Sequence, residues 1–385
     1  MKHAKIAIIG GGPGGLTLAR LLQMNGADVT VYERDKNRSV RVQGATLDLH
    51  HESGLAALEQ AGLMDEFKKH YRPGADKLRI VNKEANILFD DEQNENDVTF
   101  GEEAFRPEID RGPLRDILLD SLQEGTVIWD SRFTNMQPEN EGWNICFENG
   151  KNAYADIVVA ADGANSRLRP YLTSIKPFYS GVMVVEGSVY NSETTVPYIH
   201  ELLNGGKIFA LGDEKTLIVS SKGDGSLVFY TGCKTSEDWV QKSGIDFSNK
   251  KQVAQWFEQE FTGWNKEWNQ LFEKALLPLT PRPQYCMPLH QTWTSSPNLT
   301  MLGDAAHVMP PYAGEGVNMA MLDALELSNC LLSETFINTQ QAIADYESKM
   351  RLRASAVAKE TLEQTEAFHS ADALSYILGF FGATG

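Results

Sequence analysis

Six residues near the N-terminus, Gly10-Gly11-Gly12-Pro13-Gly14-Gly15, constrain this chain more than any other stretch. They follow Lys5-Ile-Ala-Ile-Ile9, a short apolar run rich in β-branched residues that reads as a buried strand. They precede Leu16–Asn25, where Leu18, Leu21 and Leu22 recur at helical spacing and Gly26 supplies a stop. Asp28-Val-Thr-Val-Tyr-Glu33 then reads as a second strand ending on a carboxylate. Gly10 permits the tight turn, Gly12 lets a pyrophosphate reach the backbone, and Gly15 lets the helix pack close to the strand. Pro13 and Gly14 complete the candidate phosphate turn. The helix N-terminus brings free N–H groups and partial positive charge to the same place. Glu33 is positioned to accept hydrogen bonds from adenosine ribose hydroxyls. A carboxylate there disfavours a 2′-phosphate, so this site is expected to hold FAD or NAD rather than NADP.

Two later segments repeat the pattern of a strand running into a polar turn. Asp156-Ile-Val-Val-Ala-Ala ends on Asp162-Gly163, with Ser166 and Arg167 just after it. Leu299-Thr-Met-Leu runs into Gly303-Asp304-Ala-Ala-His307, and Pro310-Pro311-Tyr-Ala-Gly314-Glu315-Gly316-Val317-Asn318 then opens a helix to about Cys330. Together the three motifs resemble those of the single-component FAD-dependent aromatic hydroxylases, the class A flavoprotein monooxygenases, over nearly the whole chain. Within that family, Tyr32-Glu33-Arg34-Asp35, Gly44-Ala-Thr-Leu-Asp48-Leu-His50 and Gly303-Asp304-Ala-Ala-His307-Val-Met-Pro-Pro311 most resemble the tetracycline-inactivating monooxygenases.

The resemblance implies an α/β fold: a split Rossmann-like FAD-binding domain, an inserted antiparallel-sheet substrate domain, and a long C-terminal helix. It implies FAD as cofactor, with NADPH or NADH as a transient co-substrate, since a single glycine motif leaves no second Rossmann domain. It implies hydroxylation of an electron-rich small molecule by O2 through a flavin C4a-hydroperoxide. Tetracycline-type antibiotic inactivation is the narrow reading. Another phenolic or polyketide substrate is the alternative, and a non-redox binding protein that keeps the FAD fold is a further one. Asp304 would accept from the ribityl hydroxyls, and Gly314, Gly316, Val317 and Asn318 would aim N–H groups at the flavin pyrimidine edge. Asp162 and Gly163 would lie near the pyrophosphate and the nicotinamide path. Arg34, Asp48, Arg111 and Pro311 would contact the cofactor.

Plainer readings stand beside these. Asp162-Gly163 fits a strand-to-helix turn, Asp304 a helix cap, and Arg34 and Arg111 surface ion pairs. His307 reads as structural, because no Ser, Cys or metal-type cluster accompanies it. Glu315 stands where glutamine is common in the family. A carboxylate beside the flavin would disfavour an anionic reduced flavin unless it turned toward solvent.

The remaining sequence bounds the partners. Fifty-two Asp and Glu against 35 Lys and Arg give a net charge of −17, which argues against nucleic acid. Cys146, Cys233, Cys286 and Cys330 are far apart and suggest neither a disulfide framework nor zinc. No apolar run approaches the ~20 residues that span a bilayer, and the first apolar stretch meets glycine at once. A cytoplasmic monomer without membrane insertion is expected. The division expected is 1–175 with 280–340 for FAD, 176–279 for substrate and 341–385 for a bridging helix and tail, with 75–105 contributing to the substrate side. Short strands at Gly181–Tyr190, Lys207–Leu211, Thr216–Ser221 and Ser226–Cys233 suggest an antiparallel wall, with Met183, Glu186, Phe209 and Tyr230 as candidate substrate contacts. The acidic stretch 91–103 reads as an exposed loop. From Gln341 to His369 no Gly or Pro interrupts a long helical segment, and the apolar tail after it is expected to pack down.

Overall fold

The computed structural model describes residues 4–40, 44–91, 100–102 and 105–382, so most of the acidic stretch 91–103 lies outside it. Its first layer is a parallel sheet of β1 (Lys5–Ile9), β2 (Asp28–Tyr32), β7 (Val127–Ile128), β11 (Ile157–Ala160) and β17 (Leu299–Met301), in the order β17-β11-β1-β2-β7. Strands buried on both faces need continuous apolar sequence. Accordingly Ile6, Ala7, Ile8 and Ile9 of β1 and all of β11 are buried. The helix Pro13–Met24 covers one face and packs against the helix Gly316–Leu332.

A two-strand ladder of β3 (Leu47–Asp48) and β6 (Glu108–Ile109) sets Asp48 opposite Glu108. A meander of β8 (Phe133–Glu139), β9 (Gly142–Phe147) and β10 (Asn152–Ala155) flanks the parallel sheet. The second large layer joins β4 (Leu78–Asn82), β5 (Ile87–Asp90), β12 (Phe178–Val189), β13 (Lys207–Gly212), β14 (Lys215–Ser221), β15 (Leu227–Lys234) and β16 (Thr280–Cys286), in the order β16-β12-β15-β14-β13-β4-β5. All its pairings are antiparallel except β13 with β4. Thus β16 lies in this sheet, past the 279 boundary expected from sequence.

Alternation splits the sheet's residues between two faces. Val185, Val189, Leu217, Val219, Leu227 and Phe229 join a core with Trp256, Phe257, Trp268 and Phe272 of the covering helices. The other parity carries Glu186, Tyr230, Ile218 and Phe209, which are cross-strand partners in one row. Met183 does not belong to that row. It pairs with Cys233 and lines a cavity of about 160 Å³ with Val185, Thr231, Trp239 and Trp256 on the helical side. The pairing of β12 with β15 is regular, so residues three apart, Met183 and Glu186, must face opposite ways.

The C-terminal helix spans Thr339–Phe368, 30 residues, or about 45 Å at 1.5 Å per residue. Asn338 caps it, its side-chain oxygen accepting from Gln341 N–H at 3.0 Å. It packs against Gly316–Leu332 and reaches the seven-stranded sheet through Phe368, which sits with Phe209. The tail forms the helix Ala373–Phe380 and packs down on Ile80, Leu211 and Phe368.

Candidate functional site

The three sequence motifs meet at the C-terminal ends of β1, β11 and β17, where an open α/β sheet characteristically places its ligand. Gly10 is held at φ +117°, and a Cβ there would lie 2.2 Å from the Ala161 carbonyl oxygen. A Cβ on Gly15 would lie 2.2 Å from the Gly10 carbonyl oxygen, and one on Gly14 2.8 Å from that of Ala320. Gly12 and Gly316 are different: a Cβ on either meets nothing within 4 Å. Backbone is thus packed tightly behind the turn and faces open space in front of it. A phosphate-bearing ligand needs that shape.

Glu33 is buried, and its carboxylate accepts from Gly11 N–H at 2.6 Å and Asp35 N–H at 2.9 Å. That fixes the carboxylate beside the glycine turn, with carboxylate oxygens able to accept further bonds. Arg34, next to it, is exposed. Asp162 accepts from Arg167 N–H at 2.8 Å through one oxygen, while its other oxygen is buried with no hydrogen-bond partner. An orphaned buried acceptor beside an open groove fits a ligand hydroxyl or a bridging water.

Asp304 shows the groove most directly. Its side chain is exposed, yet desolvation raises its carboxyl above the ordinary range despite nearby His307, Arg111 and Arg169. Both facts hold for a carboxyl on the wall of a deep, open cleft. Arg111, also exposed, donates from Nε to the Ala45 carbonyl at 3.2 Å and faces the same cleft. Behind Asp304 the support is rigid. Arg169 donates to the Ala305 carbonyl at 2.7 Å and the Asp304 carbonyl at 2.9 Å, tying the second motif to the third. Fully buried Asp323 accepts from Gly303 N–H at 2.9 Å, contacts His307 Nε2 at 2.6 Å and pairs with Arg353 at 2.7 Å. Burial opposes charge on His307, but the Asp323 carboxylate holds its imidazole above the usual pKa. His307 therefore buttresses the turn, the structural role its isolation in the sequence suggests.

Pro311 and Gly314 are exposed at the mouth of the turn, and Val317 is half-buried behind it. Asn318 is fully buried, donating from Nδ2 to the Asp48 carbonyl and accepting from His50 N–H, both at 2.9 Å. Its side chain therefore stitches β3 to the helix, and only its backbone remains for the groove. Glu315 turns toward the buried His50 ring, 3.4 Å away, rather than toward bulk solvent.

The opposite wall is the row on the seven-stranded sheet. Tyr230 accepts from Ala45 N–H at 3.0 Å, which anchors the wall to the loop ahead of β3. Burial and the Glu186 carboxylate push the Tyr230 phenol up to about 12. Glu186 is ion-paired with Arg282 on β16. Lys207 reaches across to Glu108, whose carboxyl is raised by burial.

The FAD binding domain family matches residues 3–361. The chain belongs to the FAD-dependent monooxygenases. Its relatives include the monooxygenase asqM of Emericella nidulans, 28% identical over 84% of this chain and 83% of that protein. The 3-amino-4-hydroxybenzoate 2-monooxygenase PtmB3 of Streptomyces platensis is 28% identical over 96% of this chain and 89% of its own length. Klebsiella pneumoniae HpxO, complexed with FAD and uric acid, shares the fold, with a TM-score of 0.76 at 20% identity over 97% of this chain and 91% of that one. The tetracycline destructase Tet(51) shares it with a TM-score of 0.71 at 18% identity, covering 97% and 94% of the two chains. Such likeness establishes a common fold. The narrower kinship with tetracycline-inactivating enzymes is not singled out.

For this monooxygenase the glycine turn, the Asp162 orphan and the Asp304 wall fit FAD. Among the described residues no cluster of His, Cys, Asp or Glu could hold a metal, and no helix is long and apolar enough to cross a membrane. Sequence reasoning assigned no site role to Arg169, His50, Lys207 or Arg282. Arg169, Lys207 and Arg282 act on residues 96 or more positions away, and His50, besides its neighbour Asp48, meets Glu315 from a distant helix start.

Proposed function

We propose that this monooxygenase hydroxylates a polar, electron-rich phenol or enol, with a tetracycline-type polyketide as the finer reading. The observation that carries this is the wall itself: Glu186, Tyr230, Ile218 and Phe209 in one cross-strand row on the face opposite the helical core. It offers aromatic and aliphatic surface for a ring system and a charged pair, Glu186–Arg282, for its polar substituents. Bound FAD supplies the redox chemistry, taking reducing equivalents from NAD(P)H and activating dioxygen. The protein's part is to hold and exclude. The Gly10–Gly15 turn and Glu33 would grip the adenosine and pyrophosphate, Asp304 would fix the ribityl chain, and the Gly314–Asn318 backbone would face the pyrimidine edge. The sheet and the C-terminal helices would keep water from the ring.

A smaller phenol is the second reading, and the aminohydroxybenzoate monooxygenase relative favours it. The two are separated by following NADPH oxidation by FAD-loaded protein with tetracycline and with 3-amino-4-hydroxybenzoate, and weighing the products. A faster rate with a product one oxygen heavier identifies the class. Unstimulated NADPH oxidation with both compounds unchanged would remove both.

A further inference from the structure

The His50 ring, 2% exposed, lies between two carboxylates. Its Nε2 is 3.0 Å from Asp48 Oδ2 and its Nδ1 is 3.4 Å from Glu315 Oε1. A neutral imidazole carries one N–H and can satisfy only one of them. Were both carboxylates ionised around a neutral ring, a buried acceptor would face an acceptor. A second proton, shared between the ring and Glu315, removes that clash of acceptors. The cluster also touches the turn directly: Asn318 joins Asp48 to His50, and a Cβ on Gly314 would lie 3.5 Å from Asp48 Oδ1. Other charges bear on it from neighbouring elements. Lys207 from β13 and Glu108 from β6 act on Asp48, and Arg106 and Glu360 act on Glu315. Burial raises the Glu315 carboxyl. Burial would raise Asp48 as well, yet His50 and Lys207 hold it below the usual range.

We propose that Asp48, His50 and Glu315 form one proton-sharing unit that cancels the charge of Glu315 at the flavin edge. The unit carries a net charge of minus one, as it would with glutamine in place of Glu315 and a neutral ring. The carboxylate at this position therefore adds nothing to the cost of placing negative charge on the reduced flavin. His50 and Glu315 are positioning residues here. The proposal rests on the isoalloxazine lying against the Gly314–Asn318 turn.

The test is the flavin midpoint potential of the holoenzyme at neutral pH, measured by anaerobic spectroelectrochemistry in four variants. Glu315→Gln removes the carboxylate together with its proton, so the potential stays at the wild-type value. Glu315→Lys adds a cation and raises it. His50→Gln leaves two carboxylates without the shared proton and lowers it, and the double variant His50→Gln with Glu315→Gln restores it. That non-additive pattern is the signature of sharing. A potential raised by Glu315→Gln alone would show a bare carboxylate and overturn the proposal while leaving the flavin placement intact. An unchanged potential in Glu315→Lys, with FAD bound, would overturn the placement itself. Should the His50 variants fail to retain FAD, the two Glu315 variants still decide the matter.

Discussion

The cofactor groove and the proposed substrate wall face each other, yet they are built by opposite means. In the groove the decisive contacts are backbone to backbone, made by residues of short motifs packed against one another. Gly10, Gly14 and Gly15 have carbonyl oxygens where a side chain would begin. The wall is made of side chains brought together from β4, β12, β13, β14, β15 and β16, and its ionic contacts join residues 96 or more positions apart, as in Arg282–Glu186. At those three glycines the groove is therefore intolerant of any side chain. The wall can change its chemistry without disturbing the fold, which is how one scaffold serves different substrates.

The largest break should come behind the groove, at Asp323. Replacing it by Ala leaves the buried His307 without its partner and half-buried Arg353 with Glu326 alone, at a cost of about 3–5 kcal/mol measured as lost denaturant stability. The same pair gives a pH signature. Because Asp323 lies below its ordinary 3.8, its contribution is complete above that value and fades as pH falls through the depressed one. Because His307 lies above its ordinary 6.5, its contribution is complete below that value and fades as pH rises through the raised one. The pair thus stabilises most between those two values, and Asp323→Asn should flatten the pH profile of the thermal midpoint there.

Next in size is Gly15→Val, whose side chain meets the Gly10 carbonyl. A clash of this kind costs about 3 kcal/mol or more, and the purified protein should lose its flavin colour. Asp304→Asn is gentler: the groove survives, but charge-assisted hydrogen bonds worth about 1.5–3 kcal/mol are weakened. FAD affinity should fall by about 10- to 100-fold in a titration of apoprotein. The smallest effect belongs to the wall. Glu186→Gln disrupts a partly exposed ion pair worth about 1 kcal/mol or less, so stability and FAD affinity should hardly move while KM for substrate rises. A Glu186→Gln variant that lost FAD as Asp304→Asn does would erase the distinction between the two regions.

Much of this architecture is legible in the chain because its signals are local. A β-branched run, a glycine turn and a helical leucine stripe at 5–25 announce strand, turn and helix without reference to anything distant. The strands expected at 181–190, 207–211, 216–221 and 226–233 coincide closely with β12 to β15. Met183 shows where a legible rule was misapplied, since strand parity alone separates it from Glu186. His50 shows a different limit. Asp48 stands two residues before it, but Glu315 comes from the start of the helix Gly316–Leu332, and only the folded chain sets the ring between the two carboxylates. The direction of Glu315 was equally hidden: solvent and a buried imidazole are indistinguishable from its own sequence neighbours.

The most direct measurement is the fate of isotopically labelled dioxygen in FAD-loaded protein supplied with NADPH and the substrate that most accelerates NADPH loss. One labelled oxygen atom in the product, formed in step with NADPH consumption, is the predicted result. Label recovered only as hydrogen peroxide, with every substrate unchanged, would contradict a wall that positions a ring for hydroxylation.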